Sequence, residues 1–451
     1  MDVPGGSWSR RSVLAGAGSA LALGSGCLGL GLSPARQPSD WPQRGYDAGH
    51  TNYKTEGSPP IEDVEVDWRV SEIPTVVDPQ RIWETNLAVG NGTVFTANWT
   101  AIALEDGRVI RRGGCIPDTG FVGFARTNAY GNGVILSTSY HNRDDDIITT
   151  KEGLYGLRPS APSDSGDDCQ RTVRWRSGFP TDETNRIAGA IDDGSVIAYG
   201  NRDSSVQTLD RPPGRVAAID TDDGATRWQT DDVPNIRNFC RDDRSLFVRH
   251  STGEIGRVLT VFDRETGSRR EQMPIRDDDS LRAARDGVAY LQTENKFGSD
   301  VQEITLAAVS GSDGEIKWRT DPIDAVGSAN VDSASDHIGG VAVGPDAVFT
   351  TVPRDAWSRS ESACIALDPD DGSVIWSRLI PGGVWWIAAT DQSVYISGTR
   401  VVCLDRSNGD VRWVWKPEDA WASGPPVIAD RRLLVPMVLS GVRKLFALIE
   451  P

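Results

Sequence analysis

The chain has 451 residues, 38% hydrophobic content and a formal net charge of −17. It is apolar enough to bury a sizeable core and too polar for a membrane-embedded protein. The acidic balance excludes a nucleic-acid surface, which needs clustered cations.

The N-terminus reads as a targeting segment. Ser9-Arg10-Arg11-Ser12-Val13-Leu14 carries two arginines, a spacer and then apolar residues, the twin-arginine export pattern. A Gly/Ala/Leu-rich stretch follows from Ser12 to Leu32, and such a segment stays outside the fold. Within it, Leu23-Gly24-Ser25-Gly26-Cys27 resembles a lipobox, although Gly24 stands where Leu is usual. On that reading Cys27 becomes the lipidated first residue. An uncleaved anchor helix and a freely secreted product are the other two readings. Residues 1–32 are therefore expected to be the signal and residues 33–60 a tether and lead-in, with 61–451 carrying the fold. Between Trp41 and His50 the lead-in is polar and Gly-rich.

From there a unit repeats. Clear copies read VAAIDTDDGATRWQT from Val216, LAAVSGSDGEIKWRT from Leu306, CIALDPDDGSVIWSR from Cys364 and VVCLDRSNGDVRWVW from Val401. Period-two alternation predicts a half-buried strand. The Asp-x-x-x-Gly piece predicts a reversal, with Asp bonding the turn and Gly taking positive φ. A Trp four residues later buries a large ring against a neighbour. The Trp position falls at Trp68, Arg111, Trp175, Trp228, Glu271, Trp318, Trp376 and Trp413, so two units have lost it, and the unit of Trp175 has a degenerate turn. The spacings run from 37 to 64 residues. One hairpin cannot close a core, so neighbours must stack.

A second signal precedes each unit: a turn, then an apolar strand. The turns are Asn91-Gly92, Asn132-Gly133, Asp193-Gly194, Asp243-Arg244, Asp286-Gly287, Pro345-Asp346, Asp391-Gln392 and Asp430-Arg431. Asn-Gly and Asp-Gly are the strongest hairpin signals. Eight turns matched to eight units predict an all-β, eight-bladed β-propeller of four-stranded antiparallel blades. The chain ends on Lys444 to Glu450, a first half without its Trp half, and Val64 to Trp68 is a Trp half without its first half. Pairing the C-terminal strands with that N-terminal strand would close the ring.

The repeat Ala-x-Asp-x-x-x-Gly-x-x-x-Trp in eight blades resembles the PQQ-like (pyrroloquinoline quinone-like) propeller family. The resemblance covers about Trp41 to Pro451. The family includes quinoprotein dehydrogenases and the propeller lipoprotein of the barrel-assembly machinery, so it implies a fold and leaves function open. Arg outnumbers Lys 41 to 6 and Asp outnumbers Glu 47 to 17, a balance similar to proteins of extreme halophiles, where molar salt cuts the Debye length to about 3 Å.

Loop lengths point to one working face. The turns inside each hairpin are mostly tight, whereas the connections between second and third strands and between blades vary in length. In a propeller both variable classes emerge on the same side, and function concentrates in variable loops on a rigid frame. The segments leading into the inner strands carry Trp83, Asn86, Asn185, Arg186, Arg237, Asn238, Asn330, Trp385 and Trp386. These groups suit a peptide or a small polar ligand; the alternative is a solvated rim with indoles packed between blades.

Catalytic signals are sparse. The family's quinone enzymes carry adjacent cysteines and a calcium held by Glu, Asn and Asp. This chain has no Cys-Cys pair, and its four histidines (His50, His141, His250, His337) show no metal-ligand spacing. The expectation is therefore no cofactor, with PQQ and calcium as the alternative. Cys364 and Cys403 occupy equivalent strands of successive blades. Stacked sheets sit about 10 Å apart while a disulfide needs Cα atoms within about 7 Å, so both are expected reduced; pairing of Cys115, Cys169 and Cys240 stays open. Sequons at Asn91 and Asn98 flank one strand and could be glycosylated on an exported chain.

The expected protein is an exported, lipid-anchored monomer on the outer face of the cell membrane. It acts as a non-catalytic scaffold or binding module for an envelope protein or an extracellular ligand. A quinoprotein dehydrogenase and a surface or adhesion component are the alternatives.

Overall fold

A computed structural model describes residues 37, 40–43, 45–71, 87–96, 100–111, 119–139, 153–159, 173–179, 184–192, 194–202, 214–231, 233–252, 256–293, 305–322, 339–353, 361–417 and 419–451. Residues 33–451 form one compact unit. Eight antiparallel sheets follow one another in the chain, seven of them four-stranded and built from consecutive strands. These are the eight blades expected from the repeat. Blade 1 starts at Leu87, blade 2 at Thr119, blade 3 at Thr184, blade 4 at Asn238, blade 5 at Asp279, blade 6 at Val341, blade 7 at Val384 and blade 8 at Ala420. Within a blade the strands run a to d outward, and the a strands of neighbouring blades lie side by side around the axis.

Blade 8 closes the ring. Its outermost strand is Glu65–Ser71, which pairs antiparallel with Val442–Ile449, Trp68 facing Ala447. The C-terminal strands thus meet an N-terminal strand, as the half-units at the two ends predict. Its inner strand is split: Ala420–Ala422 and Val427–Ala429 both pair with Arg432–Leu439. Pro425-Pro426 lies in the gap, where proline offers no N–H to a ladder.

The repeat motif is the joint between blades. The d-strand indole of one blade donates to a carbonyl in the next blade's c–d turn: Trp68 to Leu104 at 3.0 Å, Trp175 to Thr221, Trp228 to Arg264, Trp318 to Pro369 and Trp376 to Arg406 at 2.9 Å each. The turn Gly lies under the ring. At Gly224, φ is +76° and a Cβ would come within 2.5 Å of Trp175, so both conformation and contact demand glycine. The residue facing the indole across its own hairpin is small: Gly156, Ala218, Ala308, Ala366 or Cys403.

The two lost tryptophans have different explanations. Arg111 of blade 1 precedes blade 2, the unit whose own turn is degenerate in sequence, so donor and receiving turn are altered together in the sequence, and most of that turn lies outside the described residues. At the joint of blades 4 and 5, Glu271 faces Val261 instead of a small residue, and Met273, two residues along the same strand, covers Gly314 with its Cε 3.0 Å from where a Cβ would stand. A flexible thioether fills the gap an indole fills elsewhere.

The lead-in is built into the propeller. From Trp41 to Ser58 it visits the inner strand of every blade in turn, always at the end that leads into the a–b turn. Trp41 exchanges backbone hydrogen bonds with Val89 of blade 1, and Pro42 O accepts from Phe124 N of blade 2. The Gln43 amide brackets Ile191 of blade 3, donating to its carbonyl at 3.0 Å and accepting from its N–H at 2.6 Å. Carbonyls of Ala48, Gly49, Thr51 and Asn52 accept from Arg241, Ala284, Val343 and Ala389 of blades 4 to 7. Lys54, fully buried, reaches blade 8 by donating to Ile428 O at 3.0 Å, and closes the circuit on the lead-in's own start, Asp40 O, at 2.8 Å. A ring of inner-strand edges otherwise offers unpaired backbone groups to the channel; the lead-in satisfies them. The result is a floor across the channel at the face of the a–b and c–d turns.

Candidate binding face

With one end of the channel floored by residues 41–54, the opposite face is where the b–c loops and the inter-blade connections emerge. The inner strands begin there. Among the described residues, four of those strands carry an extra residue near that end: register slips occur at Val122 in blade 2, Asn185 in blade 3, Arg282 in blade 5 and Trp385 in blade 7. A bulge re-aims a side chain and recurs beside binding sites. Every c–d hairpin also slips one residue before the Trp position, so bulges on the outer pair belong to the repeat; those on the inner pair are individual.

Those residues singled out from sequence that the structure describes lie at this end of the inner strands, mostly as the first residues of strands instead of in loops. Asn185 and Arg186 fall in Thr184–Asp192, Asn238 opens Asn238–Arg241, and Trp385 and Trp386 fall in Val384–Ala389. Trp83, Asn86 and Asn330 lie outside the described residues. Arg237 is exposed, with its backbone fixed on both sides: its N–H donates to Arg249 O at 2.9 Å and its carbonyl accepts from Tyr199 OH at 3.3 Å. Asn238 is half-buried and spans a joint, its amide donating to Leu281 O of blade 5 at 2.5 Å. Trp385 and Trp386 are half-buried, and the Trp385 carbonyl accepts from Gly340 N of blade 6 at 3.0 Å.

Two residues at the same ends are new from the structure. Arg282, half-buried at its bulge, donates from Nε to Gln292 Oε1 at 2.7 Å. Trp421, half-buried in the first part of the split blade 8 strand, adds a third indole beside blade 7. The sequence held a faint sign of the first: in Leu281-Arg282-Ala283-Ala284 the alternation breaks, and Leu281, Ala283 and Ala284 are all buried.

The frame beneath is rigid and polar. In blade 5 one network crosses all four strands at the loop end. Arg319 grips the fully buried Asp279 with two hydrogen bonds, at 2.9 and 3.0 Å. Thr293 donates to Asp279 at 3.0 Å, and Arg319 also reaches Thr305 at 2.7 Å. The buried carboxylate is thus paired and hydrogen-bonded, and the other described groups at the inner ends include Arg237, Arg282, Trp385 and Trp386, with the acidic Asp277 and Asp278 in the connection just before the blade 5 strand. The cationic and aromatic members suit peptide segments with carboxylate or aromatic groups. Among the described residues no group of three or more His, Cys, Asp or Glu is placed to hold a metal ion. The described cysteines, Cys240, Cys364 and Cys403, are free, buried and in separate blades; Cys364 and Cys403 are reduced core residues as their spacing implies. Cys115, Cys169, Cys27, Arg10, Arg11 and Asn98 lie outside the described residues, and Asn91 is exposed in the a–b turn of blade 1 with φ +50°.

Comparison with known proteins agrees with this architecture. A family model described as outer membrane protein assembly factor BamB matches residues 168–354 and 359–447. No curated protein matches the chain. Among solved structures, quinohemoprotein alcohol dehydrogenase ADHIIG from Pseudomonas putida superposes with a TM-score of 0.58 at 12% identity, over 92% of this chain and 82% of that one. The quinohemoprotein alcohol dehydrogenase of Comamonas testosteroni gives 0.57 at 12%, over 92% and 81%. BamB from Moraxella catarrhalis gives 0.44 at 12%, over 85% and 100%. At such identities the likeness is one of fold. By its repeat, its blade joint and the family model that covers most of its length, the chain belongs to the PQQ-like propeller family described by BamB.

Proposed function

We propose that this propeller is a non-catalytic binding module, exported by the twin-arginine signal at Arg10-Arg11 and held at Cys27 on the outer face of the cell membrane. It engages an envelope protein or an extracellular ligand through its loop face. The observation that carries the reading is the floor made by residues 41–54: it occupies the turn-face end of the channel and leaves the bulged inner ends, with Arg237, Arg282, Trp385 and Trp386, addressing the other side. A family whose model is described as an assembly factor supports a protein partner. Floor, network and joints keep the cup from collapsing, so binding energy is not spent on ordering it.

The test is photo-crosslinking in cells from a benzoyl-phenylalanine placed at Arg237 or Trp386, with Asp243 on the turn face as control. Adducts from the loop-face positions alone support the reading; adducts from Asp243 alone overturn the choice of face. The same preparation is examined for absorption and bound calcium. A stoichiometric quinone chromophore would replace the binding module with a quinoprotein dehydrogenase. Adducts to the cell-surface layer would make it a surface component.

A further inference from the structure

We propose that the loop face over blades 7 and 8 binds an acidic, extended segment of a partner polypeptide. The segment's carboxylates meet Arg400, Lys416, Arg443 and Lys444, and its apolar side chains meet Trp415 and Trp421. The proposal deepens the binding-module reading above and rests on it.

It starts from charge. The chain carries 64 acidic and 47 basic side chains, so carboxylates outnumber the cations they could pair. At the turn face arginines are fastened to carboxylates, as in Arg412–Asp405 at 2.6 Å and Arg432–Asp67 at 2.8 Å. At the loop end of blades 7 and 8 the pattern reverses. Among the described residues, neither an ion pair nor a side-chain hydrogen bond joins Arg400, Lys416, Arg443 or Lys444 to another residue. The described acid in the connections there is Asp419, which is exposed. Arg443 is half-buried, its Nη2 is covered with no acceptor, and burial pushes its pKa down. A desolvated guanidinium without a partner is costly, and a carboxylate offsets that cost through two parallel hydrogen bonds.

The strands bring these cations beside indoles. Trp386 faces Ser397 across the first hairpin of blade 7, and Ser397 Oγ donates to Gly424 O, so that side looks at blade 8. From blade 8, Phe446 meets Trp415 edge to face with centroids 5.2 Å apart. Lys444, two residues back along the same strand, lies on the same side. Arg443 takes the other side, in line with Val438 and Trp421 across the sheet. Arg400 lies over the preceding joint, its Cγ 3.3 Å from where a Cβ on Gly382 would stand. The connections that could cover these groups are minimal: Gly382-Gly383, Thr399-Arg400 and Ser440-Gly441 are two residues each. From the innermost to the outermost strand of a blade is about 15 Å at a spacing of about 4.8 Å, a span of about four or five extended residues. Half-buried cations on both sides of one sheet end suit a chain laid across it, whereas a planar layer of anionic headgroups would meet only the tips.

The test titrates the full-length protein, in molar salt, with a fluorescein-labelled hexapeptide alternating glutamate and leucine, and with its glutamine–leucine counterpart. Fluorescence anisotropy is expected to show tighter binding of the glutamate peptide. Arg443→Gln with Lys444→Gln should weaken that binding on the order of tenfold or more. Arg244→Gln with Arg431→Gln removes the same charge from exposed turn-face positions and should leave affinity within about twofold, because distant charges are screened. Lys416→Gln, at an exposed position, gives a smaller loss in the same direction and keeps the test open should the loop-face double variant fail to fold. Equal affinity for the two peptides, equal loss in both double variants, or no binding of either peptide overturns the proposal. If Arg443→Gln with Lys444→Gln abolishes binding to phosphatidylglycerol vesicles and leaves peptide binding unchanged, the cations belong to lipid headgroups and the proposal fails. Crosslinks from Arg237 or Trp386 that persist in that variant would overturn this site and leave the binding module standing. Absence of any loop-face crosslink would overturn the module, and this site's partner with it.

Discussion

Trp413 of blade 7 donates its indole N–H to the carbonyl of Pro60 at 3.2 Å. In other joints the acceptor belongs to the next blade's c–d turn. Blade 8 has no such turn, because its c and d strands come from opposite ends of the chain. Pro60, leading into the d strand, stands in for the missing turn, and Tyr395 OH donates to the same carbonyl at 3.0 Å. The ring is thus sealed by a strand pairing and by a copy of the ordinary joint built from lead-in residues.

Trp413→Ala removes a buried indole from that seal and is expected to cost about 3–5 kcal/mol. Trp413→Phe keeps most of the apolar contact and loses the donor, at about 1–2 kcal/mol. Denaturant unfolding in molar salt reads both. Native hydrogen exchange adds a second readout, since opening should spread first to Glu65–Ser71 and Val442–Ile449, the strands that only ring closure holds together. Uniform loss of protection around the ring would show that this joint is no weaker than the rest.

Lys54 is one of only six lysines in the chain and is fully buried. Its ammonium lies 5.6 Å from the Tyr46 ring centroid and bridges the carbonyls of Asp40 and Ile428. Lys54→Met preserves the stem and leaves those carbonyls without that donor, a cost of about 1–3 kcal/mol for each left unsatisfied. Faster amide exchange at Trp41 and Val89, with the outer strands unchanged, is the expected signature of a loosened floor. Unchanged exchange there would mean that backbone pairing alone holds it.

Much of this architecture was legible in the chain because turns and repeats are local. Asp-x-x-x-Gly-x-x-x-Trp fixes the c–d hairpin, and Asn-Gly or Asp-Gly fixes the a–b turn, each within a few residues; Asn91-Gly92 and Asp286-Gly287 take positive φ at both positions, as a two-residue hairpin turn requires. The Trp of each unit could be read as buried, but not that its N–H seeks a carbonyl in the following blade. The lead-in read only as a polar, Gly-rich stretch before the first strand because most of its hydrogen bonds to the blades use backbone groups, which leave no mark on side-chain pattern, and the two side chains that join them, Gln43 and Lys54, stand in no repeat. Asn238, Trp385 and Trp386 could be assigned to the inner strand ends from sequence, whereas Arg282 was hidden because one bulge shifts a strand's alternation by a single residue.

His250 is buried, and burial pushes its pKa down to about 4; Nε2 lies 2.7 Å from Thr260 Oγ1. The unfolded value is about 6.5, so the folded state favours the neutral ring. Its contribution is fully present above about pH 6.5 and is lost as the pH falls through about 4. His250→Gln should therefore be destabilised at pH 7, with the gap to the parent narrowing on acidification. A ring titrating near 6.5 in the folded protein by NMR would contradict the burial argument.

Cys240, Cys364 and Cys403 are free and buried, and burial raises each thiol, that of Cys403 to about 12. Thiolates are the reactive form, so these three should not react with a maleimide in the native protein at pH 8 and should react on unfolding. Mass spectrometry of the labelled peptides identifies each site. Native labelling of Cys364 would show that the joint between blades 6 and 7 opens on the labelling timescale, and native labelling of Cys403 that the joint between blades 7 and 8 does.

The repeat Asp has a measurable energetic role at Asp405. One oxygen accepts from Ser407, from its hydroxyl at 2.5 Å and its N–H at 2.8 Å; the other accepts from Arg412 at 2.6 Å. Arg412 is the bulged residue just before Trp413, so the turn and the indole strand are fastened through one carboxylate. The hydrogen bonds from the Ser407 hydroxyl and Arg412 lower its pKa to about 2. A depressed carboxylate stabilises the fold above its unfolded value of about 3.9, and that stability disappears as pH falls toward about 2. Asp405→Asn is expected to cost on the order of 1–2 kcal/mol at pH 7 and progressively less from pH 4 downward. High salt should spare most of the effect, because the contacts are short hydrogen bonds to a partly covered group. The exposed Arg378–Asp410 pair, with side chains 49% and 61% accessible, should by contrast contribute almost nothing in molar salt. Denaturant titrations of Asp405→Asn and Asp410→Asn across pH and salt separate the two. If both respond alike, the repeat Asp is no more than a surface charge, and Gly409 and Trp413 alone specify the hairpin.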